Sequence, residues 1–104
     1  MELQEHPDGD TVTVDVRESN LAGEDGTELC GRVRALVQHG YKLVLLNVAD
    51  LARVDSVTLG VLVHAYTSAA RAGGMLKLRR ATRQLQDLLA VTKLDRVIQT
   101  VDSQ

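Results

Sequence analysis

The sequence predicts an α/β domain built on a largely parallel sheet. Short aliphatic segments alternate with longer segments of helical periodicity, in the order strand, helix, strand, helix, strand, helix. The connections between these segments are short, which is typical of domains whose helices cross over between parallel strands. A chain of 104 residues can build one such domain around a single core, and we predict that the domain spans residues 1–104.

In the first third of the chain, two strands and a helix are predicted. Residues 11–17 alternate apolar and polar side chains with period two, which predicts a half-buried strand with its valines on one face. The turn residues 7–10 precede it, and a short edge strand is predicted before Pro7. A helix should run from Thr27 to a stop at Gly40, because apolar residues recur there at helical spacing.

The rest of the chain predicts a central strand, two more helices and two further strands. Residues 43–48 show no polar alternation, which is expected of a strand covered on both faces. Ser56 is a candidate N-cap of a second helix that ends at Gly73 and Gly74. A strand at 75–78, a third helix capped by Thr82 and a candidate last strand at 97–101 complete the order. The predicted core includes five aliphatic residues, Leu45, Leu46, Val63, Leu76 and Leu88.

Composition and charge disfavour several classes of function. The net charge of −2 and the absence of Phe and Trp disfavour a nucleic-acid groove or an anionic membrane as the partner. No apolar run approaches the roughly 20 residues that span a bilayer, and the acidic start has no signal-peptide pattern. Because Cys30 is the only cysteine, we expect no internal disulfide and a cytoplasmic location.

No residue pair points to catalysis, a metal or a cofactor. The three histidines have no Cys or His partner at metal-ligand spacing, and no base accompanies Cys30. We therefore predict a protein that is not an enzyme and needs no cofactor. A basic cluster formed by Arg71, Lys77, Arg79, Arg80 and Arg83 indicates either a solvated face or an edge that meets an acidic partner.

The central motifs resemble the STAS domain of bacterial anti-sigma factor antagonists and sulfate transporter tails. The resemblance rests on an aliphatic strand before Asp55-Ser56, on Leu59-Gly60 opening the helix, and on Ala72-Gly73-Gly74 before the next strand; residues 88–96 add to it. It implies a small mixed sheet of four to five strands, with three to four helices packed mainly on one face. It also implies an antagonist that binds an anti-sigma factor, a histidine-kinase-like ATPase, and so releases a sigma factor.

One departure from the family pattern concerns the phosphorylation switch. The family's usual sequence is Asp-Ser-Ser-Gly-Leu-Gly, and the kinase phosphorylates the second hydroxyl residue. Val57 stands at that position here and cannot accept a phosphate, while Thr58 replaces the usual glycine. We therefore expect little phosphorylation. Ser56, at the start of a helix, is the first candidate for any phosphate, and Thr58 is the second.

The resemblance implies a partner-binding surface at the start of the second helix. Its predicted residues are Arg53, Asp55, Ser56, Val57, Thr58 and Leu59. Thr58 is expected to face solvent. Asp55 and Ser56 have a simpler interpretation as helix-capping residues, which Asp and Ser often are. The alternative function is a non-switching STAS scaffold or a subunit of a stress-signalling or lipid-transport assembly.

Overall fold

The computed structural model describes residues 1–101 and contains one four-stranded sheet with three α-helices. The strands are β1 (Leu3–Asp8), β2 (Thr11–Val16), β3 (Leu43–Asn47) and β4 (Met75–Arg79). The helices are α1 (Glu24–Gln38), α2 (Ser56–Arg71) and α3 (Arg83–Val91), followed by a 3-10 turn at Leu94–Arg96. Strand order is β1-β2-β3-β4, with the first pair antiparallel and the others parallel. The predicted α/β class is confirmed; the part of the predicted domain beyond residue 101 lies outside the described residues.

The first strand is longer than predicted. β1 continues through Pro7 to Asp8, so the turn to β2 consists of Gly9 and Asp10, with Gly9 at a φ of 64°. Proline is tolerated because β1 is an edge strand, where a missing N–H group breaks no interior ladder. The predicted turn at residues 7–10 therefore began two residues too early.

The helices build one core against one face of the sheet. Val14, Leu46 and Leu78 point into this core and are completely buried, whereas Thr13, Leu45 and Lys77, which alternate with them, remain partly exposed. The prediction that β3 is covered on both faces is therefore wrong. The leucines of β3 lack alternation because Leu43 and Leu45 lie half-buried on the open face.

Of the five predicted core residues, two are in the core, two pack at its border and one lies outside it. Leu46 and Leu76 are fully buried. Leu45 lies on the open face of the sheet and is half-buried. Val63 and Leu88 pack against the core but also remain half-buried, because each lies at the border of its helix's buried stripe.

Helix ends follow the predicted signals more closely than helix starts. α1 begins at Glu24, three residues before the predicted Thr27, directly after Gly23 at a φ of 70°. The predicted stops are confirmed, with Gly40 and Gly73 both at positive φ just beyond their helices. Thr82 caps α3 as predicted, since its hydroxyl accepts a hydrogen bond from the Leu85 N–H at 3.2 Å.

The predicted last strand at residues 97–101 is not a strand. This segment forms one isolated parallel bridge, between Leu78 and Thr100. The Leu78 N–H donates to the Gln99 carbonyl at 2.9 Å, and the Val101 N–H donates to the Leu78 carbonyl at 2.8 Å. The Ile98 side chain is fully buried and holds the segment against the core. The apolar residues of this segment therefore reflect packing into the core rather than pairing in the sheet.

Candidate functional site

The candidate site is the loop after β3 together with the first turn of α2, residues 51–59, which we call the entry segment. Asp55 has extended backbone angles, φ −143° and ψ −171°. Its Oδ1 atom accepts hydrogen bonds from the Val57 N–H at 3.1 Å and the Thr58 N–H at 3.0 Å. Asp55 is therefore the N-cap, and the prediction that Ser56 caps the helix is wrong. Ser56 is instead the first helical residue.

The Asp55 carboxylate also binds the loop that precedes it. Its Oδ2 atom accepts a hydrogen bond from the Arg53 Nε at 3.1 Å. The backbone N–H of Thr58 and then the Arg53 side chain hold the pKa of Asp55 below its ordinary value. The carboxylate is therefore charged at neutral pH, and it joins a cation on the loop to the positive end of the helix dipole.

Thr58 points into the protein instead of facing solvent as predicted. It is 1% exposed, and its Oγ1 donates a hydrogen bond to the Arg53 carbonyl at 2.8 Å. The reason is helical periodicity: Thr58 lies four residues before Leu62 and seven before Ala65, and both of these are fully buried. Thr58 therefore fixes the loop to the helix from the inside.

The exposed part of the entry segment is smaller than the sequence indicated. Leu51 and Leu59 are buried in the core, and Val54 is half-buried. Val57 is 53% exposed and is the apolar side chain that the segment presents to solvent. Arg53, Asp55 and Ser56 surround it with polar groups, and within residues 1–101 the Ser56 hydroxyl has no hydrogen-bond partner.

The start of α2 offers little free capacity for an anion. Of its first four backbone N–H groups, those of Val57 and Thr58 bind the Asp55 carboxylate, and that of Leu59 binds the Asp55 carbonyl. A phosphate placed on Ser56 would have to displace Asp55 or sit beside its negative charge. The helix-terminus argument that made Ser56 the first candidate for phosphorylation is therefore weakened by the cap itself.

A second loop supports the entry segment. The N–H groups of Ala52 and Arg53 both donate to the Ser19 carbonyl, at 3.1 Å and 2.9 Å. Ser19 lies in the connection between β2 and α1, and sequence reasoning missed it. No local signal could have identified it, because the contact uses a backbone carbonyl that the tertiary fold brings into place.

Other chemistry-bearing residues do not converge on this site. Cys30 is buried, and burial raises the pKa of its thiol above the ordinary value. Within residues 1–101 no group of His, Cys, Asp and Glu residues has the arrangement of a metal site. In the same part of the chain, the helices are too short or too polar to cross a membrane.

Comparisons with known proteins identify what the chain resembles. A family model described as "Mlab, STAS domain" matches residues 3–100. A Thermotoga neapolitana protein, whose name provisionally assigns it as an anti-sigma factor antagonist, is 33% identical over 64 residues. That match covers 62% of this chain and 57% of the relative, so it spans little more than half of the relative's length.

Solved structures extend the similarity to almost the whole chain. The NMR structure of the protein TM1081 is 25% identical, with a TM-score of 0.78 over 99% of this chain and 82% of that one. The phosphorylated form of the Bacillus cell fate determinant SpoIIAA is 12% identical, with a TM-score of 0.66 over 96% of this chain and 91% of that one. At this low identity, the second likeness shows a shared fold.

Proposed function

The chain belongs to the STAS domain family, and from this premise we propose that it binds an anti-sigma factor and antagonises it. The name of the Thermotoga neapolitana relative assigns that role to the relative. The proposed partner is a histidine-kinase-like ATPase, and the sigma factor that it holds is released on binding. The role is one of binding, not catalysis.

The observation that carries this proposal is the exposed turn at the start of α2, which side-chain hydrogen bonds of Asp55 and Thr58 hold in place. Val57 projects from it as an apolar contact, and the Arg53–Asp55 ion pair lies beside it. An apolar centre with a polar rim is the usual composition of a protein-binding surface. Thr58 and Leu59, which were predicted to touch the partner, are buried, so in this proposal they position the surface from inside.

The surface is proposed to act without the family's phosphorylation switch. Val57 has no hydroxyl group, the Thr58 hydroxyl is buried and bonded to Arg53, and Asp55 occupies N–H groups that could hold a phosphate on Ser56. Binding is then controlled by the amount of the protein or by the nucleotide state of the partner.

A second candidate function is a non-switching scaffold or a subunit of a stress-signalling or lipid-transport assembly. Val57 favours it, because a permanent subunit has no need of an acceptor hydroxyl at this position. Affinity capture from the native host separates the two functions. A histidine-kinase-like ATPase as the main partner supports antagonism, whereas transporter or scaffold subunits without such an ATPase support the second function.

A matched pair of variants tests the surface itself. Val57→Asp places a charge at the centre of the proposed contact and should weaken binding to the captured ATPase by about tenfold or more. Val91→Asp is the control, because Val91 is 80% exposed at the end of α3 and does not belong to the entry segment. Equal binding by both variants, measured by titration calorimetry, would contradict the proposed surface.

A further inference from the structure

The outer edge of β4 has an unpaired section. β4 is the last strand of the sheet, and the segment around Thr100 pairs with it only at Leu78. The Met75 N–H faces β3, where it donates to the Lys42 carbonyl at 2.9 Å, while the N–H and carbonyl of Leu78 face outward. Because these directions alternate along a strand, the N–H and carbonyl of Leu76 also face outward. Within residues 1–101 neither group has a partner.

A groove of about 280 Å³ lies along this open section. Met75 and Val97, which line it, are 46% and 45% exposed, and they belong to a group of four large apolar side chains that the described residues expose. Free backbone groups beside exposed apolar side chains are the features by which a sheet edge accepts an added strand.

The charge of the groove indicates which kind of strand it accepts. Lys77 and Arg96 line it, no acidic residue does, and within residues 1–101 neither cation has an ion-pair partner. Two copies of the chain joined at this edge would bring their cations together, which disfavours self-association. An acidic segment would instead be attracted to them.

We propose that the open section of the β4 edge, Met75 to Lys77, binds a short extended segment of a partner protein that carries an apolar and an acidic residue two positions apart. The backbone of that segment bonds to Leu76. Because Met75 and Lys77 point to the same face of the sheet, the apolar side chain lies beside Met75 and the acidic one beside Lys77. Val97 and Arg96, which line the same groove, add to the apolar and the cationic contact. This site is separate from the entry segment, so the proposal does not depend on the proposed antagonism.

The test uses a labelled six-residue peptide in which valine and glutamate stand two positions apart with threonine between them, with fluorescence anisotropy as the readout. The same peptide with lysine in place of glutamate and a Val–Glu peptide with N-methylated backbone amides are the controls. The Val–Glu peptide should bind and shift the NMR signal of the Leu76 amide, whereas both controls should bind far more weakly. Equal binding of either control, or an unmoved Leu76 signal, would overturn the proposal.

Charge-reversed variants locate the interaction. Lys77→Glu combined with Arg96→Glu should weaken peptide binding by about five- to tenfold, since each exposed ion pair contributes only modestly. Arg83→Glu is the control, because the Arg83 side chain is 91% exposed on α3 and does not line the groove. Unchanged binding by the double variant would refute the site. Sedimentation that shows a dimer disrupted by the double variant would also refute it, because the occupant would then be a second copy.

Discussion

Thr58 provides the sharpest test of how the entry segment is held. Thr58→Val keeps the shape of the side chain but removes the hydroxyl that donates to the Arg53 carbonyl at 2.8 Å. A buried hydrogen bond contributes about 0.5–1.5 kcal/mol net, and an acceptor left without a partner costs about 1–3 kcal/mol. Because this bond is only partly buried, we expect a loss near 1 kcal/mol. For a domain of this size, that loss lowers Tm by about 4–8 °C.

Stability alone does not isolate the hydrogen bond, so a second variant and a second readout are needed. Thr58→Ser keeps the donor and removes one methyl group, which should also cost about 1 kcal/mol in a tightly packed site. The variants should differ in amide hydrogen exchange of Ala52 and Arg53, whose N–H groups bond to Ser19. Exchange should accelerate in Thr58→Val beyond the change explained by global stability, and not in Thr58→Ser. Equal acceleration in both, or a Thr58→Val variant as stable as the parent, would refute the reasoning.

Three further predictions follow from the fold and the site. In urea unfolding, Leu46→Ala should lower the free energy of unfolding by about 2–5 kcal/mol and Leu45→Ala by about 1 kcal/mol, because only Leu46 is fully buried. Equal losses would mean that the open face of the sheet is covered. The pKa of Asp55 is lowered in the folded state. The stability that the ionised Asp55 carboxylate contributes is therefore fully present above its unfolded pKa, near 4, and is lost as the pH falls through the lower folded pKa. Asp55→Asn, which caps without titrating, should remove that part of the acid dependence of Tm, and an unchanged pH profile would contradict the assignment. Incubation with the cognate kinase and ATP should leave the protein mostly unphosphorylated by intact mass, whereas Val57→Ser should restore an acceptor; stoichiometric phosphate on the unaltered protein would exclude the non-switching proposal.

Sequence patterns predicted the element order because strands and helices leave different periodicities. Period-two alternation identified β2, and the glycines after α1 and α2 identified their ends. The family resemblance supplied what periodicity could not, namely that helices cover mainly one face of the sheet. Without that knowledge, the unbroken apolar run of β3 indicated cover on both faces, since half-buried and buried leucines are identical in a sequence.

At the candidate site, the residues were predictable but their orientations were not. Asp55 and Ser56 are both good capping residues, and a shift of one residue in the helix start exchanges their roles. Thr58 is buried because it lies at helical spacing from the buried Leu62 and Ala65, and Val57, one residue earlier, points about 100° away and stays exposed. The support from Ser19 depends on a contact between distant loops, and a backbone carbonyl leaves no trace in side-chain composition.

The N-terminal strand gives the domain a second sheet edge of a different kind. Five of the six β1 residues are exposed, so the strand is held by its ladder to β2 and by surface pairs such as Arg32–Glu5, and hardly by the core. We expect such a strand to detach by local unfolding at a free energy below that of the whole domain. The valines of β2 would then keep their cover beneath the helices while the backbone of β2 became accessible. The domain thus has one edge with an open section, at Leu76, and another that we expect to open only intermittently.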